Sequence, residues 1–255
     1  MKIATWNVNS IRSRLDRLLA WLGNAQPDVV CLQELKVTDE AFPYEPIQQA
    51  GYHATVFGQK TYNGVAILSR REPANAQRGI SGFDDLEARF LAAEIDRTWI
   101  ASVYVPNGQV VGSEKYAYKL RWMRRLREHL ESRFQPLDRV VLCGDFNAAR
   151  DELDVAYPAQ WANSVLFHEA VRENLEHLLA WGLVDVFRKH HPEGGLYSWW
   201  DYRMLAFPKN DGLRLDYIFA TEPVASRCTR AEIERDERKG EKPSDHAPVV
   251  ATFER

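Results

Sequence analysis

The chain alternates short apolar runs of β period with stretches of helical period. Residues 3–8 (IATWNV) read as a strand, and Ser10 then stands where a helix N-cap would. Behind it Ile11, Leu15, Leu18, Leu19 and Leu22 recur at helical spacing, with Gly23 as the stop. Pro27 breaks the chain before a second strand, DVVCLQE at 28–34. Further strands are predicted at 52–57, 64–69, 89–96, 99–105, 139–143, 214–220 and 248–253. Two more helices are predicted. One spans 113–134, with an apolar stripe at Tyr116, Leu120, Met123, Leu126 and Leu130, and the other spans 168–181 and stops at Gly182. Several strands follow one another with no helix between them, which excludes a strictly alternating barrel and predicts a mixed sheet or a pair of sheets. No repeat, low-complexity tract or linker interrupts the pattern, so residues 1–255 read as one domain. The charged stretch 232–242 (EIERDERKGEK) reads as a solvated turn.

Composition narrows the class. A chain of 255 residues buries roughly 70–75% of its unfolded surface when folded as one domain. With 45% hydrophobic and 11% aromatic residues it is not a disordered chain. No apolar run approaches the roughly 20 residues of a membrane span, and the opening MKIATWNVNS lacks the features of a signal peptide. Cys31, Cys143 and Cys228 are scattered and lie outside any C-x-x-C spacing, so they read as buried free thiols in a reducing cytoplasm. The 33 basic and 36 acidic residues leave a net charge of −3, which on its face argues against a polyanionic partner. The segment 114–139 is different. There Lys115, Lys119, Arg121, Arg124, Arg125, Arg127, Arg133 and Arg139 outnumber Glu114, Glu128, Glu131 and Asp138 two to one. That excess is either an ordinary solvated helix face or part of a surface that tracks phosphates.

The chemistry sits where polar groups interrupt the apolar runs. The first strand carries Asn7 near its end, the second ends in Glu34, and VVLCGDFN runs into Asp145 and Asn147. These last two are two residues apart and so point the same way on an extended backbone. GLRLDYIF places Asp216 among apolar neighbours, and PSDHAP sets Asp245 and His246 between two prolines. One acid at a strand end is ordinarily a cap or loop residue. Several in one small domain converge on a crevice at one sheet edge, as sites in α/β folds commonly do. Converging carboxylates repel unless a cation sits among them, and a hard divalent ion with oxygen ligands such as Mg²⁺ meets that need. Glu34 is the carboxylate best placed to bind it directly. His246 alone among the seven histidines adjoins the acid set and completes an acid–base group. From the residues alone the constellation indicates metal-assisted hydrolysis of a phosphate ester.

TWNVNS at 5–10, LQELK at 32–36, NGVAILSR at 63–70, YVPNG at 104–108, GDFN at 144–147, GLRLDY at 212–217 and SDHAP at 244–248 occur in this order across the chain. Together they resemble the exonuclease III and abasic-site endonuclease family of the endonuclease/exonuclease/phosphatase superfamily. The resemblance implies an α/β four-layer sandwich of two facing mixed sheets flanked by helices. It also implies a Mg²⁺- or Mn²⁺-dependent, monomeric enzyme of base-excision repair. Such enzymes cut double-stranded DNA 5′ to abasic sites and act on 3′ ends as exonucleases and 3′-phosphodiesterases or phosphatases.

By the same resemblance Glu34 is the principal metal ligand, with Asn7, Asp145, Asn147, Asp245 and His246 completing the shell. His246 contacts the scissile phosphate and is often taken as the base that activates water, and Asp216 orients it. Asp145 activates water or protonates the leaving oxygen, Asn147 stabilises the pentacovalent phosphate, and Tyr104 lies beside it. Trp199 in SWWDYR and Leu215 line an abasic-sugar pocket, a device that admits a flipped baseless sugar and excludes a nucleotide with its base. Arg203 stands where relatives insert a side chain into the DNA stack, or else contacts a phosphate. Asn107 resembles a DNA-contacting position. Arg70 and Lys60 are candidate phosphate contacts, as are Lys115 and Lys119. Bulky Phe167 and His168 in the segment 157–170 are candidates for restricting the pocket. The alternatives are a superfamily phosphatase acting on something other than DNA, and a catalytically dead nucleic-acid-binding regulator. SWWDYR and YVPNG weigh against the first, and the complete polar set weighs against the second.

Overall fold

A computed structural model describes residues 1–254. The first half of the chain forms β1 (Lys2–Asn7), α1 (Ile11–Ala25), β2 (Val29–Gln33), α2 (Tyr44–Gln49), β3 (His53–Phe57), β4 (Val65–Ser69), β5 (Ala74–Arg78), β6 (Phe90–Ile95), β7 (Thr98–Tyr104) and α3 (Glu114–Arg133). Then come β8 (Val140–Asp145), α4 (Pro158–Trp161), α5 (Glu169–Leu179), β9 (Leu183–Asp185) and α6 (Val186–His190). The chain closes with α7 (Ala206–Lys209), β10 (Asp216–Thr221), α8 (Glu222–Ala225), β11 (Cys228–Ile233) and β12 (Val249–Phe253). The strands make two six-stranded sheets, ordered β11-β12-β1-β2-β4-β3 and β5-β6-β7-β8-β10-β9. Each is mixed. β1 and β2 are parallel in the first and β7 and β8 in the second, and the other neighbours run antiparallel.

Residue parity sets the layers. Ile3, Cys31, Ile67, Ile100, Val141, Cys143 and Ile218 meet between the two sheets. Their neighbours of opposite parity face outward. Ala4, Trp6 and Leu32 pack on Leu18, Trp21 and Leu22 of α1. Leu142, Phe146, Tyr217 and Phe219 pack with Trp122, Leu126 and Leu130 of α3 and Leu175 of α5. This is the expected four-layer sandwich. Largely apolar faces on both sides of the central strands explain why their sequences read as nearly unbroken hydrophobic runs.

Several elements depart from the sequence expectation. α1 passes through Gly23 and ends at Ala25, because the stop is Gln26 in a left-handed conformation (φ 48°) whose N–H bonds Leu22 O, followed at once by Pro27. β5 (ANAQR) and β9 (LVD) carry no alternating apolar signal, since both are sheet-edge strands. The charged stretch 232–242 is not simply a solvated turn. It begins in β11, and Arg238 is buried, donating to Ser244 O (2.9 Å) and Trp200 O (3.2 Å).

The pairings also decide which strand ends share a pole. β1 and β2 run the same way, as do β7 and β8, while β10 is antiparallel to β8 and β12 to β1. The carboxyl ends of β1, β2, β7 and β8 therefore meet the amino ends of β10 and β12. Along the inter-sheet layer the inward residues grade toward that pole. Ile3, Cys31, Ile100 and Cys143 give way to a hydrogen-bonded layer of Thr5, Gln33 and Ser102, and then to Asn7, Tyr104 and Asp145. No helix among the described residues is long and apolar enough to cross a membrane.

Candidate active site

Asn7, at the end of β1, donates through Nδ2 to both Glu34 Oε1 and Asp145 Oδ2, each at 2.9 Å, and so links the two sheets. Asp145 Oδ1 accepts from the Asn147 backbone N–H at 2.8 Å, and Asn147 Nδ2 donates to Val105 O at 2.9 Å. Asn107 Nδ2 in turn donates to Asn147 Oδ1 at 3.2 Å. Gly144, just before Asp145, lies so close to β7 that a Cβ there would sit 1.9 Å from Val103 O, so no side chain is accommodated. Asn9, Ser10, Glu34, Lys36 and Asn147 all have positive φ, a concentration of unfavourable backbone at one pole.

Across the crevice, His246 Nδ1 pairs with Asp216 Oδ2 at 2.8 Å. Ser198 Oγ donates to the same carboxylate oxygen at 2.6 Å while accepting from the N–H groups of Leu215 and Asp216 at 3.0 Å each. The ring is thereby fixed with Nε2 toward Asp145 Oδ2, 3.7 Å away. Burial works against charge on this ring, but Asp216 and Asp145 outweigh it and raise its pKa to about 10. Burial raises Asp145 to about 7, opposed by His246 and reinforced by Asp216. Tyr104 is pushed well above the usual phenol value by burial, with Glu34 and Asp145 adding to the effect. It enters the crevice as a neutral phenol, and the Arg89 guanidinium lies over its ring at 4.8 Å.

Glu34, Asp145 and His246 each offer one ligand atom, all within 4.8 Å of one another. The two carboxylates suit a hard divalent cation, with the imidazole beside them. On the outer side, Lys36 Nζ touches Glu34 Oε2 (3.0 Å) and Asn9 Oδ1 (2.5 Å). Asp245 stands one step outside this group. Its two oxygens accept from Asn9 Nδ2 (2.9 Å) and Trp199 Nε1 (3.0 Å).

The substrate-facing candidates divide. Trp199 is half-buried at the rim, packed edge-on against Trp161, while its neighbour Trp200 is the core member of the pair. Leu215 is almost fully buried, in the cluster that Trp199 packs against. Phe167 is buried in that same cluster. His168 caps α5 and bonds Tyr116 Oη at 2.8 Å, so both residues serve the junction of α3 and α5. Lys115 and Asn107 are exposed and line a cleft of about 310 Å³ with Tyr104, Tyr62 and Gln109. Lys60 is exposed. Arg203 is exposed and paired with Asp201 at 2.6 Å, and the bare apolar side chains of Met204 and Leu205 follow it.

Two candidates are corrected. Arg70 follows β4, which is antiparallel to β2, so it lies at the pole opposite Glu34. There it donates to Pro27 O and stacks on Tyr52. Lys119 is fully buried and touches no solvent. Some of the basic excess of α3 is also engaged within the protein, Arg125 with Glu128, Arg127 with Glu131 and Arg133 over Trp99. The sequence reading missed Ser198, Lys36, Asn9, Tyr62 and Arg238. Asn9, Lys36 and Ser198, inside the quoted TWNVNS, LQELK and SWWDYR segments, carried a local signal.

Two facing mixed sheets with a carboxylate–histidine crevice at one pole define a phosphoester hydrolase of the sandwich type. Residues 4–246 match the model of the endonuclease/exonuclease/phosphatase family, and the chain belongs to it. It is 35% identical to exodeoxyribonuclease III of Haemophilus influenzae, over 99% of this chain and all of that one. An AP endonuclease structure from Archaeoglobus fulgidus superposes with a TM-score of 0.98 at 42% identity, covering both chains fully. A 3′-5′ exonuclease structure from Neisseria meningitidis does so at 0.96 and 38%, again over both full chains.

Proposed function

We propose that this protein is a divalent-metal-dependent DNA repair nuclease that hydrolyses phosphodiesters 5′ to abasic sites and at 3′ ends of duplex DNA. The observation that carries the reading is the Asp145–His246–Asp216 line set beside Glu34 and Asn7 at a single pole. Likeness to an exodeoxyribonuclease III, an AP endonuclease and a 3′-5′ exonuclease over full length supports nuclease chemistry on both kinds of end.

Glu34 and Asp145 are the residues that would hold Mg²⁺ or Mn²⁺, with Asn7 orienting the two carboxylates, His246 facing them, and Asp245 and Asn147 further out. A bound divalent ion supplies charge relief on the phosphate oxygens and lowers the pKa of water. The remaining steps belong to side chains. His246, its Nδ1 taken by Asp216 and flanked by carboxylates, is better placed to give a charged N–H to a non-bridging phosphate oxygen than to act as a base. Asp145, whose burial favours the protonated form, is the group to take a proton from water or return one to the leaving O3′. Asn147 and Asn107 present amides, and Tyr104 a neutral phenol, to the developing charge. Trp199 borders the position of an extruded sugar, the Tyr62–Lys115 cleft follows the neighbouring strand, and Arg203 with Met204 and Leu205 stands ready to enter the stack. Every group needed lies on one chain, so the expected working unit is a monomer.

The test is a side-by-side assay on three duplexes bearing an abasic analogue, a recessed 3′ end and a 3′-phosphate, with and without chelator. Cleavage of the first two that EDTA abolishes and Mg²⁺ restores is the expected result. Full activity after thorough chelation, or none on any duplex, rejects the reading.

A further inference from the structure

Lys119 sits within α3 between apolar contacts of the core, at a position where an apolar side chain would be the ordinary choice, yet it is a lysine and is fully buried. Its ammonium donates to the carbonyls of Asn107 (3.1 Å), Asn147 (2.6 Å) and Val165 (2.6 Å). Three donors meet three acceptors, so the group is saturated. Burial pulls its pKa down to about 7, opposed by Asp145.

Those carbonyls come from three different segments. One follows β7 and carries Asn107, and one follows β8 and carries Asn147, whose backbone is left-handed (φ 47°) and whose N–H holds Asp145 Oδ1. The third lies between α4 and α5 and is joined to Trp161, the residue packed on Trp199. None of the three segments is regular structure at these residues; the Ala149 N–H donates to Leu166 O (2.7 Å) and the Asn107 amide to Asn147 Oδ1 (3.2 Å), and Lys119 is the group among these contacts that reaches all three. Room for the lysine stem is also built in. Gly108 has φ +94°, and a Cβ on it would lie 3.0 Å from Lys119 Cδ and 3.5 Å from Val165 Cβ.

We propose that Lys119 is a positioning residue: its buried ammonium clamps the Asn107, Asn147 and Val165 segments into one unit, so that the two amides facing the scissile phosphate and the wall that backs Trp199 keep a common geometry. Lys119 never meets DNA and acts through the groups it holds. The sequence would place it with the phosphate-binding bases of α3, and the fold turns it inward. The activity part of its test rests on the nuclease reading above. The exchange part does not.

The experiment compares wild type with Lys119→Met, which keeps the length of the stem and removes the donors. Steady-state cleavage is measured on an abasic duplex and a recessed-end duplex, and amide hydrogen exchange is followed across the chain. The expected result is a fall in kcat of at least about tenfold with KM changed by less than about threefold. Protection should be lost together at 105–109, 146–149 and 162–166 while α3 and the sheets keep theirs. Wild-type kcat with unchanged exchange overturns the proposal. So does a general loss of protection across α3 and α5, with kcat reduced only by the unfolded fraction, which is the outcome for a merely structural lysine. If Lys119→Met does not fold, Lys119→Gln, which keeps part of the stem and a single amide donor group, decides between the same results. A wild type inactive on both duplexes would reject the nuclease reading and leave the exchange comparison to judge Lys119.

Discussion

Arg214 and Asp216 are separated by one residue, yet they belong to buried ionic clusters of opposite construction. The Arg214 guanidinium lies between Tyr217 (4.5 Å) and Phe187 (5.4 Å). It meets Asp154 at 2.6 and 3.0 Å and Asp185 at 2.8 Å, and Arg188 closes on Asp154 from the other side. Two cations face two anions, and the set is electrically closed. Around Asp216 the balance differs. Glu34, Asp145 and Asp216 cluster around the His246 ring, and Lys36 meets the outer oxygen of Glu34 and neither of the other two carboxylates. Asp216 Oδ1 has no hydrogen-bond partner among the described residues. A closed cluster is suited to holding the fold. The open one keeps a negative excess that a cation and a phosphate complete, and that excess marks it as the site.

The comparison can be broken from either side. Asp145→Asn should lower the cleavage rate by about 10⁴-fold, the upper range for loss of a proton-transfer group. Its melting temperature should stay at or above that of wild type, because one buried like charge is gone. A scanning calorimetry trace beside the abasic-duplex assay checks both. Arg214→Met should do the reverse. It strands Asp154 and Asp185 without their shared cation, costs about 3–5 kcal/mol by urea denaturation, and leaves the rate per folded molecule near wild type. Saturating Mg²⁺, at about 100 times its Kd, should stabilise the wild type by about 2.7 kcal/mol and Glu34→Gln much less, read as a shift in thermal melting. Ser198→Ala removes the hydroxyl bond to the Asp216 carboxylate and the acceptor of the Leu215 and Asp216 N–H groups, and should cost about 1–3 kcal/mol of stability together with a fall in kcat at unchanged KM.

A separate effect is expected on acid stability. His129 packs against Phe90 inside the α3 layer, where burial, with Arg133 adding, lowers its pKa from 6.5 to about 4. The unfolded chain gains this proton near pH 6.5 and the folded one only near 4, so stability declines as pH falls through that window. His129→Gln should flatten the slope of unfolding free energy against pH between those values.

Much of this was legible locally. Strands with both faces apolar announced themselves as hydrophobic runs, and Asn7, Glu34, Asp145, Asp216 and His246 stood out because an ionisable group at the end of such a run is costly without a purpose. What stayed hidden depended on distant partners. Ser198 opens SWWDYR, where the tryptophans drew the attention, and Arg238 is one more base in a charged stretch. Their importance comes from Asp216 in one case and from the backbone at Trp200 and Ser244 in the other.

The sequence by itself determined the class of fold, the chemistry of the crevice and the kinship, because hydrophobic period and side-chain type are properties of single segments. Only the tertiary structure decided polarity and facing. Arg70 and Glu34 lie on neighbouring strands that run antiparallel, so they end at opposite poles. Lys115 and Lys119 lie on one helix four residues apart, yet one reaches solvent and the other closes on three carbonyls. Strand direction and the faces that helices bury are set by which elements pair and pack, and the energies that choose among those arrangements belong to contacts between residues far apart in the chain.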